Sequence, residues 1–275
     1  GTLLVVWLDN SSTARHTVAN NYFSRPVSIL DSSGSSLNGQ ETIRIGTSDY
    51  SLREASCTVS GNVFHRCNGE TETISNKSCG NLYEGNLFTE CQGTLTLRHG
   101  NGCTVRGNYF LGNKVSDTGG IRIIGENHTV ENNYLEKLRG TGYKAALCMV
   151  RGIASTPLNG YAQVKNAVVR GNIIYGCRYS MHLNYASSPS VQTEPVASSI
   201  IAGNTVYCTS DSDYAVYMYN SPTPEINWSD NTIYGGSQSG ATLPTADAEP
   251  TIDSVSEIVA AISASAGTDW DNIFK

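Results

Sequence analysis

The sequence is short of charge. Only 15% of its 275 residues are Asp, Glu, Lys or Arg, against about 25% in ordinary globular domains. It holds no apolar run near the ~20 residues that a membrane-spanning helix needs; the opening run, Leu3 to Leu8, is the length of a strand. Its eight cysteines form no C-x-x-C pair, which argues against a zinc site. Basic residues are outnumbered, and the net charge of −6 argues against a nucleic-acid partner, which needs a broad basic face. No membrane partner is expected either. No signal peptide is visible, and the chain opens directly in an apolar strand, so an upstream segment is expected to be missing.

What is plentiful is different. Apolar residues make up 39%, enough for a core, and the chain holds 27 Gly, 15 Tyr and 24 Asn. This profile favours short strands and frequent turns over long helices. It excludes a coiled coil, a collagen-like chain and a helical bundle.

One phrase recurs: Asn followed by two mostly apolar residues. It starts at Asn21, Asn62, Asn86, Asn108, Asn133, Asn172, Asn204 and Asn231, with gaps of 41, 24, 22, 25, 39, 32 and 27 residues. The central gaps give the basic unit, and the longer ones are that unit with inserted loops. Cys67 and Cys91 are 24 residues apart, as are Cys79 and Cys103. A unit this small cannot bury its own apolar face, but stacked copies cover one another. The expected fold is therefore all-β, a single-stranded right-handed parallel β-helix over residues 1–245. Equivalent Asn side chains would stack at one turn, with Phe, Ile and Cys stacked inside. The cysteines read best as buried free thiols. From about Ala246 the phrase stops. Val255, Ile258, Val259 and Ile262 fall at helical spacing, so the tail, 246–275, is expected to hold a short capping helix started by Asp253 or Ser254.

Three consecutive repeats carry charge on their strands: C-N-G-E-T-E-T-I-S-N-K-S with Glu70, Glu72 and Lys77; G-T-L-T-L-R-H-G-N with Arg98 and His99; T-G-G-I-R-I-I-G with Arg122. Strand alternation sends Leu95 and Leu97 inward and Thr94, Thr96 and Arg98 outward. Glu70 and Glu72 should point out together, as should Arg122. The spacings, 21 and 24 residues, are close to one coil, so the charges should form a vertical cluster on one outer sheet. Neighbouring carboxylates repel unless a hard cation such as Ca²⁺ joins them, and Asn38 is placed to add an oxygen. The same spacing also fits a solvated ladder in which the glutamates pair with Arg44, Arg98 or Arg122.

Together N-G-Q-E-T-I-R-I-G, N-G-E-T-E-T-I-S-N-K-S, L-T-L-R-H-G-N, T-G-G-I-R-I and N-G-Y-A-Q-V-K-N-A resemble polysaccharide lyase family six, which holds alginate lyases and the dermatan-cleaving chondroitinase B. The last motif, at Asn159 to Ala167, looks more like the alginate lyases. The resemblance implies Lys77 as Brønsted base and Arg98 as Brønsted acid. It implies Asn38, Glu70 and Glu72 as Ca²⁺ ligands, with Arg122 and His99 holding the sugar acid; Tyr161, from a long insert, is a candidate groove wall. The implied activity is Ca²⁺-assisted β-elimination of alginate, an anionic 4-linked uronate polymer. A dermatan or chondroitin sulfate lyase and a non-catalytic carbohydrate-binding β-helix are the alternatives. A hydrolase would need two carboxyl groups flanking the bond and would leave Lys77 and Arg98 without a role. Two departures from the family pattern stand out: Gln40, where Gly is usual, and the missing upstream coils. A secreted or periplasmic location is expected, with the signal peptide outside this chain.

Overall fold

A computed structural model describes residues 1–11 and 14–267. Among the described residues the chain coils as a right-handed parallel β-helix, with short strands stacking into three sheets of nine, eight and eight strands. Each coil contributes one strand to each sheet, and neighbouring coils pair in parallel. Backbone donors therefore find partners one coil away, which lets three-residue strands persist.

The recurring Asn phrase forms the turn between the second and third sheets. Asn62 Nδ2 donates to Asn86 Oδ1 at 3.0 Å, Asn86 to Asn108 at 2.9 Å and Asn108 to Asn133 at 3.0 Å. The ladder runs from Asn21 to Asn231. The residue just before each ladder Asn has positive φ: Gly at 61, 85, 107, 171 and 203, and Asn20, Asn132 and Asp230 elsewhere. Gly enters this region at no steric cost, and Asn and Asp are the L-residues that tolerate it best.

Inside, Phe23, Phe64, Phe88 and Phe110 stack with ring centroids 5.2, 4.6 and 4.4 Å apart. Leu135 and Ile174 continue the column in register. All eight cysteines are free thiols, and all but Cys79 are buried. Cys67 and Cys91 stack as the 24-residue period requires, with the Cys67 N–H 3.4 Å from Cys91 Sγ. Cys79 and Cys103 do not. The intervening coil is shorter, so Cys103 stacks on Asn81 and Cys79 on Asn101.

The expected tail helix spans Ser256–Ser265. It lies on the flank of the third sheet, where Val259 packs with Val63, Leu87 and Leu111, and not over an end of the coil. Neither Asp253 nor Ser254 holds the N-cap position, which falls to Val255 with no side-chain cap hydrogen bond, although Ser254 Oγ accepts the N–H of Ser256 at 3.4 Å. Residues 268–275 of the tail lie outside the described residues.

Candidate active site

The outward face of the first sheet carries the charged residues. Strands Ile43–Gly46, Glu72–Lys77, Thr94–His99 and Ile121–Ile123 lie side by side in it. Leu95, Leu97, Ile121 and Ile123 are buried in the core, as alternation requires. Thr94 and Thr96 share the other face, their hydroxyls 2.7 Å apart.

Two breaks in register shape the site. Thr94 pairs with Glu72 and Leu95 with Ile74, so Thr73 is an extra residue. Leu97 pairs with Asn76 and His99 with Lys77, so Arg98 is a second extra residue. Such bulges re-aim side chains; here Arg98 and His99, adjacent in sequence, both line one cavity. They also correct the vertical cluster expected from spacing. The true column is Arg44, Ser75, Thr96 and Arg122, whereas Lys77 pairs with Gly46 and His99. Arg44 does not line the cavity. Glu70 precedes its strand, and only Glu72 lies on it.

The cavity, about 620 Å³, is walled by Asn38, Glu70, Glu72, Lys77, Arg98, His99, Arg122 and Tyr161. Every site residue singled out in the sequence is thus brought together. Arg122, 3% exposed, pairs with Glu72 and lies 4.9 Å from the Tyr143 ring, while its Nε is buried without a hydrogen-bond partner. The Arg98 Nε is 3.7 Å from Glu72 Oε1. The Arg98 guanidinium donates to the carbonyls of Gly160 at 2.9 Å and Asn159 at 3.3 Å, and it sits 4.2 Å from the Tyr161 ring. The 151–165 insert therefore clamps Arg98. Burial pulls the Arg98 pKa below the usual guanidinium value, opposed by Tyr161 and Glu72. Burial, then Arg98, Lys77 and Arg122, lowers the His99 pKa to about 3, so His99 is a neutral hydrogen-bonding group at ordinary pH.

A residue not singled out in the sequence completes the acidic corner. Carboxylate oxygens of Glu41, Glu70 and Glu72 lie within 4.8 Å of one another. Glu41 accepts from Thr2 Oγ1 at 2.6 Å and lies 3.8 Å from Lys77 Nζ. The signal was present: E-T-I at Glu41–Ile43 repeats at Glu72–Ile74, and Ile43 and Ile74 are register partners. Glu70 has no basic partner among the described residues and accepts the Gly39 N–H at 3.2 Å, the same donor that Asn38 Oδ1 engages at 2.9 Å. Burial, reinforced by Glu41 and Glu72, raises the Glu70 pKa to about 7. Three close carboxylates with an amide oxygen beside them form an all-oxygen donor set, which fits a hard divalent cation. Gln40 pins the adjoining loop, bonding Ile29 in both directions and the Leu37 carbonyl.

A Chondroitinase B family model matches residues 3–260. The chain is 32% identical to the PL6 family alginate lyase AlyGC over 90% of its own length and 34% of that chain, with a TM-score of 0.78. It is 30% identical to a mannuronic acid specific polysaccharide family 6 lyase from human gut microbiota, covering 85% of this chain and 51% of that one, with a TM-score of 0.72. A PL6 alginate lyase solved with a trisaccharide is 26% identical over 86% of this chain and 55% of that one, with a TM-score of 0.75. The chain thus spans about a third to a half of the length of these proteins. Among curated proteins there is no significant match.

Proposed function

The chain belongs to the chondroitinase B family, polysaccharide lyase family six, and from that premise we propose that it cleaves alginate by β-elimination with the help of Ca²⁺. The observation that carries the reading is the convergence of Lys77, Arg98, Arg122 and three carboxylates on one cavity.

In a 4-linked uronate the proton at C5 lies beside a carboxylate. Removing it adds a second negative charge next to the first. Arg122, with its unpartnered Nε, supplies a fixed positive charge for the sugar acid, and neutral His99 supplies a hydrogen bond. Lys77 takes the C5 proton as its neutral amine. The electron pair of that C–H bond forms the C4–C5 double bond, and the C4–O bond breaks. The guanidinium of Arg98, fixed by the Asn159 and Gly160 carbonyls, stabilises the departing oxygen, which takes a proton from solvent while Lys77 later returns the C5 proton to solvent. No water is consumed.

Glu41, Glu70, Glu72 and Asn38 would hold Ca²⁺, which when bound neutralises charge at the sugar carboxylate. The cavity wall holds four basic side chains, Lys77, Arg98, Arg122 and Lys144, against these three glutamates. Masking the glutamates leaves a positive surface inside a protein of net charge −6, because local field outweighs total charge for a polyanion. A secreted or periplasmic location follows from such a substrate.

The test is incubation with alginate and, separately, dermatan sulfate, with and without chelator. The expected result is a rise in ultraviolet absorbance from unsaturated uronate ends on alginate, lost with chelator. Cleavage of dermatan sulfate instead would move the reading to the family's other substrate, and binding without any cleavage would end it.

A further inference from the structure

Past Arg122 the outward face of the first sheet turns from charge to aromatic rings. The register column continues Arg122, Cys148, His182 and Tyr217. His182 is 3% exposed, and neither ring nitrogen has a hydrogen-bond partner among the described residues. Four tyrosine rings surround it: Tyr185 at 4.6 Å, Tyr217 at 5.1 Å, and Tyr179 and Tyr219 at 5.5 Å. Those of Tyr185, Tyr217 and Tyr219 meet the imidazole edge to face, so the ring props them from beneath. All four tyrosines are half-buried, with their remaining surface toward solvent.

This surface joins the charged cavity without a break. Tyr143 lies over Arg122 and meets Tyr185 edge-on at 4.8 Å. On the coil between Arg122 and these rings, Arg151, also 3% exposed, donates from Nε to the Asn184 carbonyl at 2.9 Å and sits 5.6 Å from the Tyr219 ring. It makes no ion pair among the described residues, so its positive charge is uncompensated. Aromatic rings offer flat apolar area with polar tips, which suits the C–H faces and hydroxyls of a pyranose ring.

We propose that Tyr179, Tyr185, Tyr217 and Tyr219 form a distal subsite for uronate units of the same polysaccharide, with Arg151 drawing in a carboxylate. The platform lies two and three coils beyond Arg122, about 10–14 Å along the axis at ~4.8 Å per coil, so a short oligosaccharide held at Lys77 cannot reach it. This rests on the reading of the cavity as a polyuronate site, and the test separates the two.

Two arms use mannuronate and guluronate trimers and hexamers as probes. In kinetics, the hexamer-to-trimer ratio of kcat/KM should fall about tenfold in Tyr217→Ala/Tyr219→Ala. In calorimetry on the Lys77→Ala background, the same pair of substitutions should weaken hexamer binding about tenfold and trimer binding much less. Tyr217→Leu/Tyr219→Leu, which keeps most of the packing volume, should behave alike, so a folding defect cannot stand in for the effect. An unchanged length dependence in either arm overturns the proposal. If the wild-type chain cleaves nothing, the binding arm still decides it.

Discussion

Glu70 gives the cavity a defined pH response. Its folded-state pKa of about 7 lies above the ordinary value of 4.5, so between those values the native state binds more protons than the unfolded one. Stability from this group is therefore lost as pH rises through that window. In chelator, Glu70→Gln should match wild type near pH 4.5 and melt higher than it at pH 8; added Ca²⁺ should reverse the order at pH 8. Thermal melts across pH check this, and a constant difference would remove Glu70 from the acidic corner. His99 has the opposite sign: its pKa of about 3 lies below 6.5, so its contribution is lost as pH falls through that range. Lys77→Ala and Arg98→Ala test the chemistry. Loss of the base should cost roughly 10²–10⁴ in turnover and loss of the guanidinium roughly 10²–10³. Both variants should melt cooperatively, because neither side chain is in the core. Near-normal product absorbance in either would exclude that residue from the reaction.

Two kinds of element decide where those side chains stand. The Asn turn fixes the coil. Asn108 accepts from the Asn86 N–H at 3.0 Å and from its Nδ2 at 2.9 Å, and donates to the Tyr83 carbonyl at 2.9 Å. Asn108→Ala strands two buried donors on Asn86 and should cost about 2–6 kcal/mol, at 1–3 kcal/mol per unsatisfied group, read from urea unfolding. The inserts fix the site. The turn at Asn159–Gly160 and the ring of Tyr161 hold Arg98 from above the sheet. Tyr161→Ala should reduce kcat/KM by about 3- to 30-fold, the range expected from a lost cation–π contact, without the stability loss that Asn108→Ala brings. A melting temperature that falls as far as in the ladder variant would make Tyr161 a packing residue.

For the whole molecule, the solenoid separates stability from chemistry. Its interior is a continuous column of Phe, Ile, Leu, Val and Cys, whereas the charges that line the cavity lie on one outer sheet, where the 151–165 insert leans over Arg98. Coil-to-coil contacts dominate such an architecture, so stability is close to a sum over neighbours. Apart from the pH-dependent effect at Glu70, substitutions in the cavity should leave global unfolding nearly unchanged, and substitutions in the Phe column should not. Phe88→Ala removes a ring stacked at 4.6 and 4.4 Å from its neighbours. It should cost about 3–5 kcal/mol in denaturant unfolding while the residual folded protein keeps its turnover per molecule.

The fold was legible in the sequence because a repeat makes every coil report the same environment. Asn at the turn, apolar residues inside and charge outside recur at one period, and no distant information is needed to read them. Six of the site residues could be singled out because they lie on three adjacent repeats, and their roles came from the resemblance to family six. Their arrangement was not legible. One extra residue at Thr73 and another at Arg98 shift the register, and counting residues along the chain cannot locate a bulge. Glu41 joins Glu70 and Glu72 only because one coil stacks on the next, and the grip of Asn159 and Gly160 on Arg98 spans more than 60 residues. Periodicity is a local property and survives in one dimension; the meeting of carboxylates, amine and guanidinium depends on register and loop closure, which exist only once the coils are stacked.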